Sequence, residues 1–155
     1  MADENKPAGP DLSIGVPLAS VTDGGSLLGH VGDEAVLLIR HGAEVFAIGA
    51  ECTHYHGPLA EGVVTDGAVR CPWHHACFDI RTGEALHAPA LSPVACWKVE
   101  QQGDNITVRD KLDQPKPRPR GKPSGAPNRI VIIGGGAAGF AAAELLRRQI
   151  GRAHV

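Results

Sequence analysis

Four residues in the middle of the chain have types and spacing suited to metal chemistry. Cys52-Thr-His54 opens one short stretch and Cys71-Pro-Trp-His74 another, with sixteen residues between His54 and Cys71. Each stretch offers one thiolate and one imidazole. Such a set can hold a single tetrahedral zinc ion. It can also hold a [2Fe–2S] cluster in which two Cys bind one iron and two His bind the other. The spacing favours the cluster. Zinc modules usually group like ligands, Cys with Cys and His with His, whereas both pairs here are mixed. In a cluster the Cys and His of one stretch reach different irons, so they lie two or three residues apart on a tight turn. Unrelated core Cys and scattered His have no reason to fall into this pattern beside Gly57, Pro72 and Phe78-Asp79.

Two loops closing on one site from opposite sides need a connection that leaves and returns. Residues Val63 to Arg70 supply it, with Asp66-Gly67 as a hairpin turn signal. From about Gly15 to Val108 short strands alternate with turn residues. Ala35–Arg40 and Glu44–Ile48 flank His41-Gly42-Ala43, and Ala95–Val99 and Asn105–Val108 flank a turn at Gly103-Asp104. Strand spacing of this kind predicts an all-β sandwich or barrel. His30 and His41 fall in predicted turns far from the two loops and are expected on the surface. His56 and His75 adjoin candidate ligands and could shield the imidazoles. Trp73 is expected to pack.

The rest of the chain narrows the function. With 15 Lys and Arg against 17 Asp and Glu, the net charge of −2 gives no argument for nucleic acid or an anionic membrane. Four Cys, two of them in the loops, exclude a disulfide-rich scaffold and leave Cys77 and Cys96 as small buried apolar residues. Residues 1–12 are polar and rich in Pro and Gly, which predicts a disordered terminus without a signal peptide. No run of 18 apolar residues suggests a membrane span, so a cytoplasmic protein is expected. Residues 13–110 form the expected cluster domain.

Composition changes at Lys111. Residues 111–127 carry five Pro and five basic residues and read as an extended linker, with a basic docking strip as the alternative. Residues 128–149 then join an apolar run, Ile130–Ile133, to Gly134-Gly-Gly136-Ala-Ala-Gly139 and a helix-forming stretch. Strand, glycine turn and helix in that order suggest a dinucleotide site, with a diphosphate on the helix N-terminus. The acidic residue usual about 20 positions further on would lie beyond the chain. Ile150-Gly-Arg-Ala-His-Val155 looks like a translated sequencing adapter, so residues 150–155 are expected to be non-native and the reductase portion truncated.

Residues 52–59 and 71–79 resemble the two cluster loops of Rieske ferredoxin-type domains, down to Pro72-Trp73-His74 and Phe78-Asp79. The resemblance implies a small antiparallel β fold with the cluster at one tip, held by Cys52, His54, Cys71 and His74. A third loop around His87 and Pro89 is expected to cover it. The whole of residues 15–149 resembles the N-terminal part of apoptosis-inducing-factor-like oxidoreductases. There a Rieske domain and a linker precede an FAD/NAD(P)-dependent reductase of the pyridine nucleotide-disulfide type. That order implies FAD on Gly134, Gly136 and Gly139, NAD(P)H as hydride donor, and single electrons passing between the flavin domain and the cluster, or from the cluster tip to a redox partner. Alternatives are the N-terminal part of a Rieske ring-oxygenase system and a non-catalytic zinc module.

High-potential Rieske proteins add a disulfide between the two loops and hydroxyl donors near the cluster sulfurs. Gly57 and Trp73 stand at the matching bridge positions here, and Ala76 and Phe78 at the hydroxyl positions. Fewer donors disfavour an added electron. The expected reduction potential therefore lies near the low end of about −150 to +300 mV. A redox titration checks this, and a clearly positive value contradicts it.

Overall fold

The computed structural model describes residues 7–113 and 130–150, the latter with side chains to residue 146. Two compact units divide the chain, Met1–Gln114 and Pro115–Val155. In the first unit ten strands run in order: β1 (Val16–Pro17), β2 (Ser26–Val31), β3 (Glu34–His41), β4 (Glu44–Gly49), β5 (Val63–Thr65), β6 (Ala68–Arg70), β7 (Cys77–Asp79), β8 (Ala85–His87), β9 (Cys96–Gln102) and β10 (Asn105–Lys111). They form two antiparallel sheets, a large one ordered β1-β10-β9-β4-β3-β2 and a small one ordered β5-β6-β7-β8.

The tight hairpins arise where the sequence permits left-handed backbone. Asp66 and Gly67 have φ of 50° and 74° in the two-residue turn that pairs Thr65 with Ala68. Both central residues at positive φ make the type I′ turn that suits the right-handed twist of the strands. Gly42, at φ 64°, turns β3 into β4, and Gly103, at φ 60°, turns β9 into β10. These three connections follow the expected hairpins. The short strands β7 and β8 carry too little alternation to stand out in the sequence.

β3 explains why the two sheets hold together. Alternate side chains of a strand face opposite sides of its sheet. Leu37 and Ile39 enter one core with Ile48, Leu59, Val69, Phe78 and Ile80, which joins the large sheet to the small one. Val36 and Leu38 enter a second core with Leu12, Val16, Val21, Trp97, Ile106 and Val108, inside the curl of the large sheet. All four β3 side chains are fully buried. Cys77 and Cys96 are buried as well, in keeping with their expected role as apolar residues.

Residues 7–12 depart from the expected disorder. Leu12 N–H donates to the His30 carbonyl, His30 N–H to the Pro10 carbonyl, and Val108 N–H to the Leu12 carbonyl. The segment thus closes the curled sheet between β2 and β10, and Leu12 is fully buried. One apolar side chain among polar neighbours is enough to anchor it. His30 is likewise not on the surface: it is 3% exposed, with Nδ1 donating to the Gly32 carbonyl at 3.1 Å. Its place on the strand that residues 10–12 cover accounts for that burial. His41 is exposed, as expected.

The second unit contains α1 (Ala137–Ile150). The run Ile130–Ile133 is not a strand and its side chains are exposed, Ile133 at 96%. A strand needs a partner to satisfy its backbone groups, and no described residue pairs with this one. Most of the expected linker, most of the adapter-like tail and residues 1–6 lie outside the described residues. None of the described helices is long and apolar enough to cross a membrane.

If residues 10–12 close the sheet, Leu12→Ala empties a fully buried site and should cost about 2–5 kcal/mol of unfolding free energy. Urea denaturation measures it. A loss below about 0.5 kcal/mol, the range of ordinary surface changes, would show that the segment is not part of the core.

Candidate metal centre

The two candidate loops are hairpin tips built to one plan. In the first, Leu59 N–H donates to the Ala50 carbonyl, Glu51 bridges Pro58, and Cys52 N–H donates to the Gly57 carbonyl at 2.9 Å. In the second, β6 and β7 bring Arg70 opposite Cys77, and Cys71 N–H donates to the Ala76 carbonyl at 2.8 Å. Each cysteine carbonyl accepts from the residue four positions on, His56 N–H at 2.8 Å and His75 N–H at 3.2 Å. Those two histidines have φ of 56° and 60°, a left-handed conformation that costs a side-chain-bearing residue of order 1 kcal/mol. Sequence alone marks His56 and His75 only as neighbours of ligands; their shared role in closing the two turns emerges from the backbone. The candidate ligands are offset within this common frame, His54 two residues after its cysteine and His74 three.

The expected ligands come together in two pairs, thiol with thiol and imidazole with imidazole. Cys52 and Cys71 are 2% and 1% exposed, and both are free thiols. The two thiols lie close enough to interact directly. The His54 and His74 rings stand edge-on, with centroids 4.9 Å apart and planes at 86°. His54 is half-buried and His74 exposed, so the site is dry on the thiol side and open on the imidazole side. Burial pushes the Cys52 thiol above its ordinary value. The His54 N–H opposes that shift by donating to the sulfur, Cys71 reinforces it, and the Tyr55 N–H opposes it again.

Three observations fit a metal group here. Nδ1 of His54 is buried without any hydrogen-bond partner, the condition of an atom whose partner is a metal ion. A Cβ on Gly57 would lie 2.8 Å from Cys71 Sγ and 3.3 Å from the Trp73 ring, so the glycine keeps room beside the sulfur. The donor set of two thiols and two imidazoles suits iron in a mixed-ligand cluster. Among the described residues no three His, Cys, Asp or Glu converge on one point. A two-iron cluster asks for two protein ligands per iron, so pairs are the expected arrangement.

The surroundings sort the remaining expectations. Thr53 Oγ1 donates to the Ser92 carbonyl at 2.6 Å, tying the first loop to the stretch that follows β8. That stretch includes the cis bond between Ala88 and Pro89. His87 itself is exposed. Trp73 lies over Gly57 yet is 54% exposed, so it packs on one face only. His56 is exposed and pairs with Glu51 at 3.1 Å. Cys96 sits behind Gly83, where a Cβ would approach its sulfur to 2.8 Å. Burial and the Asp79 charge raise its thiol to about 11, which keeps it neutral.

In the second unit Gly134 has φ of 110°, and a Cβ on Gly139 would lie 2.1 Å from the Gly134 carbonyl oxygen. Helix and turn therefore approach each other through the first and third glycines. Gly136 has open space around it.

Antiparallel sheets carrying two matched hairpin tips with a thiol–imidazole pair on each define a small redox-cluster domain. Residues 16–98, over half of the chain, match the family model of the Rieske [2Fe-2S] domain, and the chain belongs to that family. It is 36% identical over 124 residues to apoptosis-inducing factor 3 of Mus musculus, a match covering 74% of this chain and 20% of that protein. It is 41% identical over 77 residues to the anthranilate 1,2-dioxygenase ferredoxin subunit of Burkholderia cepacia, covering 50% of this chain and 71% of that one. The solved ferredoxin of carbazole 1,9a-dioxygenase from Nocardioides aromaticivorans IC177 superposes with a TM-score of 0.58 at 28% identity. That overlap covers 66% of this chain and 96% of the ferredoxin. The chain thus spans about a fifth of the length of the apoptosis-inducing factor 3 proteins. The cofactor of this domain is a [2Fe–2S] cluster, and the domain transfers electrons through it.

Gly57→Ala should lower cluster occupancy, because Cys71 Sγ must shift to clear the added Cβ. The visible absorption of the purified variant reports this. Full cluster absorption would show that the cysteine can move aside.

Proposed function

We propose that Cys52 and Cys71 hold one iron of the cluster and His54 and His74 the other. The observation that carries this assignment is the buried, unpartnered Nδ1 of His54 beside the His74 ring and the paired thiols. When bound, the cluster supplies one-electron oxidation and reduction. The protein contributes the rest. Buried cysteines keep water from the sulfur side, the N–H groups of His54 and Tyr55 donate to Cys52, and the exposed His74 leaves the imidazole side open to a redox partner.

The intact protein, in this reading, is an FAD- and NAD(P)H-dependent oxidoreductase, with this domain relaying single electrons for its flavin module. Gly134, Gly136 and Gly139 would meet the flavin diphosphate, where the N–H groups of the first turn of α1 provide donors. The reading draws on the glycine turn and on a match to apoptosis-inducing factor 3 that covers more of the chain than residues 16–98. A second reading is a ferredoxin serving a separate oxygenase, favoured by 41% identity to a dioxygenase ferredoxin subunit. The two part on one result: in a longer native chain carrying the reductase, NAD(P)H should reduce the cluster without an added protein.

The ligand assignment is tested by single alanine variants. Replacing Cys52, His54, Cys71 or His74 should abolish bound iron and acid-labile sulfide, which are expected at about two each per chain. His56→Ala and His75→Ala should retain both. Full iron content in any of the first four variants would remove that residue from the set.

A further inference from the structure

Histidines that bind metals are usually held in orientation by a hydrogen bond from the ring nitrogen that faces away from the metal. Neither candidate imidazole has one from a described residue. Among the described residues, no side chain or carbonyl hydrogen-bonds to the ring of His54 or His74. An imidazole held by the chain at Cβ and by a metal at one nitrogen can still tilt unless something touches its faces. The structure shows what touches them. The Tyr55 ring meets the His54 ring edge-on at 4.7 Å, with planes at 83°, and stands 6.0 Å from the His74 ring. With the 4.9 Å contact between the two imidazoles, the three rings form a closed triangle.

We propose that Tyr55 is the positioning residue of the centre. Its ring braces His54 directly and His74 through it. The inference rests on the ligand assignment proposed above. Three further features fit the role. Tyr55 is 67% exposed, so burial of its own surface is a poor reason for its place. Its phenol hydroxyl makes no hydrogen bond among the described residues, which leaves the ring as the working part. Its backbone N–H points at Cys52 Sγ, which anchors the residue between the thiol and imidazole sides of the site. Edge-to-face contacts between aromatic rings are preferred geometries with a modest energy of their own, enough to select one ring orientation.

The test uses the full chain, loaded with cluster, as the unsubstituted protein and as Tyr55→Phe and Tyr55→Ala. Two properties are read: the g-anisotropy of the reduced cluster by EPR, and the half-time of cluster bleaching by a ferrous chelator. The ring is kept in Tyr55→Phe, so both properties should match the unsubstituted protein. Tyr55→Ala should show an altered g-anisotropy and bleach about fivefold faster, the factor expected for one lost aromatic contact. Failure of Tyr55→Ala to load cluster, with normal loading of Tyr55→Phe, also supports the ring's role. Two outcomes would overturn the proposal: a Tyr55→Ala protein unchanged in both properties, or a Tyr55→Phe protein as impaired as Tyr55→Ala. If the unsubstituted protein gives no mixed-ligand cluster signal, the ligand assignment itself falls, and the two failures remain distinct.

Discussion

The structure depends on burying two thiols side by side although they belong to different hairpins. A buried thiolate is costly without a compensating charge, and metal binding supplies one only if both sulfurs are already in place. The chain meets this by using one turn twice. Each cysteine starts a loop closed by a hydrogen bond to the residue five positions on and another from the residue four positions on. The duplicated frame holds the sulfurs inward and presents the imidazoles outward. The histidines are displaced by one position between the loops, and their two rings meet edge-on.

Packing below the loops makes that frame rigid. Leu59 follows the first loop, Phe78 follows the second, and both are buried in the core that also takes Leu37, Ile39 and Ile48 from the large sheet. Burying a side chain of that size contributes about 1.5–3 kcal/mol. A single core therefore sets the distance between the hairpins, and the cluster joins loops that are already close. The dry thiol side and open imidazole side suit electron transfer, in which the protein controls access and distance and no acid, base or nucleophile is required.

Much of this is legible in the sequence because its signals are local. Asp66-Gly67, Gly42 and Gly103 mark turns, since each supplies a backbone conformation that few residues tolerate. The Cys-x-His and Cys-x-x-His spacings name four residues that the fold brings together as a thiol pair and an imidazole pair. What escapes the sequence depends on distant partners. Leu12 is one apolar residue in a polar stretch, and its burial follows from the curl of the large sheet. His30 sits in what looks like a turn and proves to be part of a covered strand. Ile130–Ile133 has strand-like composition but lacks described neighbours to pair with. His56 and His75 hold a backbone conformation for which glycine is the usual choice, so their positions announce chemistry more readily than geometry.

The central claim is that these two loops carry a mixed-ligand [2Fe–2S] cluster. EPR of the dithionite-reduced full chain, with metal analysis of the same sample, tests it most directly. The account predicts a reddish-brown protein with a rhombic Rieske signal and about two irons per chain. A colourless, EPR-silent protein containing one zinc per chain would contradict it.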